Sequence, residues 1–372
     1  MIRFLHSSDL HLGKPFGRYP EDVRVPLRQA RAQAVNVLAD LARAHHASHI
    51  VLAGDTFDQT TPAPRIVRHA MNAMREAAHV RWVLMPGNHD HANATELWRQ
   101  IRLDAPENVI LATEPAPISL SDDVTLLPAP PTDRHPGRDL TEWFDTAPTG
   151  DALRIGLAHG SVTDFDSSED GGSAVIPPNR ARRAGLAYLA LGDWHGQLQI
   201  GPETWYSGAP EADGFKHDKT PSALLVEIAG PTAPARVTPV PTGTMRWQRS
   251  VINLTEGVTP EAMLAAVLPS VTDRARTLLD LVVTGRARAP DRVTLERAIA
   301  AAAPDFLWQH DDLSGLGLIH NTDDLDVIDA QGALRAAAES LSRDATDQSR
   351  SPEDRATAQT ALSLLFSYAL ED

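Results

Sequence analysis

The stretch HIVLAGDTFD, His49 to Asp58, constrains the fold more than any other, because it ends a short apolar run in two carboxylates three residues apart. Ile50, Val51 and Leu52 are too few for a helix and apolar on both faces, which predicts a central parallel strand. Gly54 lets the backbone turn sharply, so Asp55 falls at the carboxyl end of the strand, where open α/β sheets bind their ligands. Alone, Gly-Asp is ordinary turn punctuation and Asp55 a helix cap. Four other apolar segments, however, end in the same chemistry: IRFLHSSDLHLG in Asp9 and His11, VRWVLMPGNHD in Asn88, His89 and Asp90, LRIGLAHG in His159, and LAYLALGDWHG in Asp193 and His195. Packing asks for apolar residues at such places, and solvation would use Lys, Ser or Glu as readily. Five strand ends of this kind predict one polar, metal-binding centre.

The 372 residues exceed one typical core, so two domains are expected. No apolar run approaches the roughly 20 residues that span a bilayer, and the first apolar residues lead straight into Asp9 and are needed as a strand rather than a cleavable signal. No membrane association and a cytoplasmic address are expected. There is no cysteine, so any metal must be held by oxygen and imidazole nitrogen. The net charge of −15 argues against a chain that coats nucleic acid non-specifically. It leaves a nuclease open, since carboxylates that hold cations count in the formal charge and local arginines still guide a phosphate backbone.

The segment after His11, broken by Gly13, Pro15, Gly17 and Pro20, reads as a loop over the site. Helical spacing follows from Pro26 to His46, then after Pro62 and Pro64, and again around Ala94 to Leu103, which gives a βαβαβ order with parallel strands and motif loops on one edge. Glu114 to Gly150 is expected to form hairpins and loops around a strand at Val124 to Leu127, and the acidic, glycine-rich Asp164 to Gly172 a loop near the site. TWYSGAPEADGF and ALLVEI are expected as strands of a second sheet packed on the first. The composition breaks near Pro241 to Gly243, which predicts domains over 1–243 and 244–372, the second a small α/β unit without a ligand cluster. Its last helix, from Pro352 to Leu370, carries Leu362, Leu365, Phe366 and Leu370, a stripe that docks on its own domain or on a partner.

Asp9-x-His11, Gly54-Asp55-x-x-Asp58, Gly87-Asn88-His89-Asp90, His159-Gly160 and Gly192-x-x-His195, in this order and spacing, resemble the calcineurin-like metallophosphoesterase superfamily. SSDLHLG, YSGAPEADGF and the two-domain length are most similar to its SbcD-type DNA repair exonucleases, over most of the first 243 residues. The resemblance implies an α/β fold, a β-sandwich flanked by helices in αββα layers, followed by a smaller C-terminal capping domain that binds a partner. It implies two divalent metal ions bridged by Asp55, with Asp9, His11 and His195 completing one site and Asn88, His159 and position 193 the other. His89 would protonate the leaving oxygen or steady the phosphoryl group, and Asp58 would orient the His89 ring. The family usually has histidine where this chain has Asp193. An aspartate still suits a hard cation but reaches less far, so the second metal is held directly or through water.

The activity expected is a metal-dependent phosphodiesterase acting on DNA, an exonuclease or endonuclease of DNA repair, partnered with an SMC-like coiled-coil ATPase, with a homodimer as an option. The nitrogen and oxygen ligands favour manganese, with iron or magnesium as alternatives. Two other functions stand beside this one: a phosphoesterase for a small nucleotide or phosphomonoester, and a weakly catalytic scaffold for the ATPase. Trp205 and Tyr206 either stack bases or pack the sheet.

Overall fold

The computed structural model describes residues 1–162, 175–216, 220–230, 233–255, 259–319 and 332–369. The loop expected at Asp164 to Gly172 lies outside these residues, as do Leu370 and the side chain of Phe366. The chain divides into two compact units, Met1–Met245 and Arg246–Asp372.

The first unit runs β1 (Ile2–Ser7), α1 (Glu21–Ala44), β2 (His49–Ala53), α2 (Pro64–Glu76), β3 (Arg81–Met85), α3 (Thr95–Asp104), β4 (Val109–Leu111), β5 (Ile118–Ser121) and β6 (Val124–Ala129). It continues through β7 (Leu153–His159), β8 (Ser161–Val162), β9 (Val175–Ile176), α4 (Arg180–Arg183), β10 (Tyr188–Gly192), β11 (Leu198–Gly201), β12 (Thr204–Tyr206), β13 (Ser222–Ile228) and β14 (Arg236–Pro241). Two six-stranded sheets result, ordered β14-β13-β1-β2-β3-β4 and β11-β12-β10-β7-β6-β5.

Period-two alternation decides which side chains go where. Phe4, Val51 and Val83 of the first sheet meet Leu126, Ile155 and Tyr188 of the second in a shared inner core. Their neighbours Leu5, Leu52 and Leu84 face outward, under Val35, Leu38, Met71 and Trp98 of the three helices. Leu127, Leu189 and Leu191 cover the other outer face together with Phe144, Ala181 and Leu186. That layer is thin, a 3-10 turn at Glu142–Thr146 and the one-turn α4, pinned by buried Arg180 through its ion pairs to Asp139 and Asp145. The αββα sandwich is therefore present, with an outer layer on the second sheet slighter than the one on the first.

Two expectations are corrected. ALLVEI, as β13, pairs antiparallel with β1 in the first sheet rather than joining the second. The βαβαβ order holds, with β1, β2 and β3 parallel in the first sheet, and β7 and β10 run parallel in the second. Apolar strands read alike in sequence, and their partners are chosen by long-range packing. In addition, α1 starts at Glu21, ahead of the expected Pro26, which rides inside the helix. Glu21 and Asp22 complement the positive helix start, and Pro26 lacks only one N–H near that end.

The second unit comprises β15 (Arg246–Leu254), α5 (Pro260–Val267), α6 (Val271–Arg274), β16 (Thr277–Arg288), α7 (Ala289–Ala302), β17 (Trp308–Ile319), α8 (Ala333–Thr346) and α9 (Pro352–Ala369). Its three strands are parallel, in the order β15-β16-β17. Leu279, Leu281 and Val283 pack under Leu264, Leu295 and Ile299. The last helix packs on α8 and α7, with Leu362 buried, so it docks on its own unit.

Candidate metal centre

The ends of β1, β2, β3, β7 and β10 converge, although two sheets supply them. The loop after β1 lies along the one after β2, with Asp9 N donating to Gly54 O at 3.1 Å and His11 N to Asp55 O at 2.9 Å. Across the sandwich, His159 Nδ1 meets Ala53 O at 2.7 Å. Approach this close requires glycine. A Cβ on Gly192 would lie 2.0 Å from Ala53 O, and one on Gly54, whose φ is +91°, would lie 2.3 Å from His159 Nδ1.

Four acidic or imidazole residues of the cluster are themselves forced into positive φ: Asp9 at 55°, His11 at 43°, Asp55 at 52° and Asp193 at 100°. Non-glycine residues rarely tolerate this region, and such strain gathers where side chains must be aimed at one point. Here they are. Asp55 Oδ2 lies 3.6 Å from both His11 Nε2 and His159 Nε2. His195 Nε2 is 3.2 Å from His11 Nε2 and 3.9 Å from Asp9 Oδ1. Asn88 Oδ1 stands 3.4 Å from His159 Nε2, which is 3.7 Å from Asp193 Oδ1. All seven residues expected as ligands thus come together. Asp193, where the chain departs from the family, points into the cluster, while Ser161 Oγ donates to its other oxygen at 3.2 Å.

The donor set suits cations. His159 has Nδ1 on the Ala53 carbonyl, and His195 has Nδ1 3.1 Å from Asp213 Oδ2. Nδ1 of His11 is 3.3 Å from Asp58 Oδ1, in ion-pair contact rather than hydrogen-bond geometry. Each imidazole therefore turns Nε2 toward the cluster, the arrangement by which outer carboxylates and carbonyls orient metal-binding histidines. Asp9, His11 and His195 form one group close enough to share an ion, and Asp9, Asp55 and His159 another.

Electrostatics agree. Burial pushes the Asp55 carboxyl well above its usual range, reinforced by Asp90 and Asp9 against the pull of His159. Burial opposes a charged His159, yet Asp55, Asp193 and Asp9 overcome it and raise the ring to about 9. Protons here stand in for missing positive charge. His11, by contrast, is held well below its ordinary value by burial and by His195, Arg31, His89 and Lys14, so it is neutral and ready to ligate.

Asp58 does hold the His89 ring, though by a different atom from the carboxylate expected. The His89 ring rests on its main-chain carbonyl, with Nδ1 2.8 Å from Asp58 O, whereas its carboxylate faces His11. Loop geometry, invisible in the spacing, exchanged the two groups. His89 is half-buried, and its own N–H donates to Asp55 Oδ1 at 2.9 Å.

Asp90, one of the strand-end residues, has a role that the sequence does not show, and Arg31 and Asp213 give no signal of their own there. Buried Asp90 accepts from Gly87 N at 2.6 Å and Phe57 N at 3.0 Å, tying the second motif loop to the third. Arg31, buried on α1, donates to Leu10 O at 2.5 Å and Glu211 O at 3.1 Å, so it clamps the first motif loop to the segment after β12. Asp213 gathers His195, Lys14 and Arg31, and although burial works against it these three hold its carboxyl well below the usual range. The block YSGAPEADGF pointed at that segment, but no spacing rule singles out its second carboxylate. Tyr206 is buried, donating to Gly160 O at 2.7 Å, and Trp205 packs against the inner core, so both pack the sheet.

The sequence model of the calcineurin-like phosphoesterases matches residues 2–174. The chain is 26% identical over 243 residues to the uncharacterized metallophosphoesterase YhaO of Bacillus subtilis, covering 61% of this chain and 57% of that protein. It is 31% identical over 122 residues to the D subunit of the nuclease SbcCD of Escherichia coli K12, covering 31% of this chain and 28% of that one. It is also 31% identical over 91 residues to the DNA double-strand break repair protein Mre11 of Archaeoglobus fulgidus, covering 24% and 19%. The chain thus spans little more than half of the first of these relatives and less of the others. Among the described residues, no helix is long and apolar enough to cross a membrane.

Proposed function

We propose that this chain, which carries a calcineurin-like phosphoesterase domain, hydrolyses phosphodiester bonds in DNA with the help of two divalent cations. The observation that carries the reading is the convergence of the Nε2 atoms of His11, His159 and His195 with the carboxylates of Asp9, Asp55 and Asp193, with the Nδ1 atoms turned to outer acceptors. In this reading Asp55 would be shared by two ions. Asp9, His11 and His195 would hold one, and Asn88, His159 and Asp193 the other. Cations held there supply Lewis-acid chemistry, neutralising phosphoryl charge and lowering the pKa of water. The protein's own groups then do the positioning. His89 Nδ1–H is fixed by the Asp58 carbonyl, which leaves Nε2 to bring a proton to the leaving oxygen or to steady the phosphoryl group. The all-nitrogen-and-oxygen donor set favours manganese, with iron or magnesium as alternatives.

DNA as substrate rests on the similarity to the SbcCD component and to Mre11, whose names record nuclease and break-repair roles. A partner protein, which we take to be an SMC-like ATPase, accords with the E. coli relative being named as one subunit of a nuclease. The second unit carries 12 arginines against 20 acidic residues, which favours a protein partner there over a phosphate backbone.

The test is hydrolysis of single-stranded DNA, duplex DNA and a small chromogenic phosphodiester by the full chain with each metal in turn. Metal-dependent cleavage of DNA supports the reading. Undiminished turnover after chelation sinks it, and cleavage confined to the small phosphodiester would replace DNA with a small substrate.

A further inference from the structure

We propose that Asp213 is a positioning residue for the metal centre: it orients the His195 ring so that Nε2 presents its lone pair to an ion shared with Asp9 and His11. The inference rests on the two-cation reading above and adds to it a residue outside the five motif loops. Asp213 Oδ2 lies 3.1 Å from His195 Nδ1. A carboxylate only accepts, so the ring must carry its hydrogen on Nδ1, and Nε2 is left as the basic nitrogen. That nitrogen faces His11 Nε2 at 3.2 Å and Asp9 Oδ1 at 3.9 Å.

Asp213 is itself held in place. Lys14 Nζ reaches Oδ2 at 2.5 Å and Arg31 Nη2 at 3.6 Å. Arg31 is buried and bonded to the carbonyls of Leu10 and Glu211, so the carboxylate is anchored to the loop that carries Asp9 and His11. His195 is therefore aimed by the same loop whose ligands it joins. Such outer carboxylates typically change metal affinity 10- to 100-fold.

The experiment uses the full chain, titrated with Mn²⁺ by calorimetry and with Co²⁺ by visible absorption. Asp213→Asn is expected to weaken one of two binding events about 10- to 100-fold, to alter the Co²⁺ spectrum, and to leave the other event unchanged. Asp213→Glu should recover part of the loss. Lys14→Met removes one of the two cationic side chains that hold this carboxylate, so it should weaken the same binding event, by less than Asp213→Asn does. A Co²⁺ spectrum of Asp213→Asn indistinguishable from the parent's would overturn the proposal. So would two undisturbed events in Asp213→Asn. Should that variant not fold, the His195 ring of the Zn²⁺-loaded parent decides by nitrogen-resolved NMR: hydrogen on Nδ1 supports the proposal, and hydrogen on Nε2 refutes it. Failure of the parent to bind any cation would instead strike at the two-cation reading.

Discussion

Protons and cations compete for the same atoms at the centre of this protein. Because Asp55 is pushed above its usual range and His159 is raised to about 9, the metal-free site holds protons that a cation must displace. Mn²⁺ affinity should therefore rise with pH up to about 9 and binding should release protons, measured by calorimetry in buffers of different ionisation enthalpy. The same shifts bear on stability. A histidine raised from 6.5 to about 9 stabilises the fold fully below 6.5 and loses that contribution as pH climbs through 9. The metal-free chain should lose thermal stability over that window, and the Mn²⁺-loaded chain should not. Asp58 and His89 also separate at this scale. His89→Asn should lower turnover about 100-fold or more with metal content intact, whereas Asp58→Asn, whose carboxylate faces His11, should weaken metal binding instead. Equal behaviour in both variants by metal analysis and kinetics would contradict the geometry. Asp193→His removes one negative charge from a site that holds Asp9 and Asp55, so zinc tolerance should rise and the pH optimum fall. Unchanged metal content and pH profile would take position 193 out of the ligand set.

At the scale of elements, the centre depends on how tightly the two sheets close at their carboxyl ends. Polar ties bind them there: His6 of β1 reaches Tyr188 Oη at 3.0 Å and Leu191 O at 3.1 Å, and burial keeps the ring neutral by lowering it to about 3. Gly192 ends β10 against Ala53 of β2 and Ser8. Its replacement by alanine would set a Cβ 2.0 Å from Ala53 O, 2.8 Å from Ser8 Cβ and 2.9 Å from His159 Nδ1, and the backbone carbonyl cannot yield. Gly192→Ala should cost about 3 kcal/mol in urea unfolding and should lose metal with it, because the wedge parts His159 from Asp55. A variant of wild-type stability and full metal content would mean that the sheets close elsewhere.

For the molecule as a whole, the chemistry lies in Met1–Met245, and no cluster able to hold a metal occurs among the described residues of the second unit. The last helix completes that unit, since it packs on α7 and α8 and its Leu362 is buried. Truncation before Pro352 should therefore broaden or lower the unfolding of the second unit, seen by calorimetry, while hydrolysis of a small phosphodiester persists. Processing of long DNA with a partner protein should fall if that unit is the docking element. Equal loss on both substrates would tie the two units into one catalytic body.

Much of this was legible in the residues alone, because a strand and the loop that ends it are local facts. Short apolar runs located β1, β2, β3, β7 and β10, and the Asp, Asn and His after them marked residues that the fold brings together, since few other pressures put those types at five strand ends. What the sequence left open is what depends on distant pairing and on which atom of a residue faces inward. The assignment of β7 and β10 to a second sheet and of β13 to the edge of β1 follows from long-range packing of strands with interchangeable apolar patterns. Backbone paths through positive φ at Asp9, His11, Asp55 and Asp193 turned those side chains to one point, and they set the Asp58 carbonyl under His89 and its carboxylate beside His11. Asp213 enters the centre for the same reason: an ion pair with residues some two hundred positions away has no period or spacing, and only the folded chain brings Lys14 and Arg31 to it.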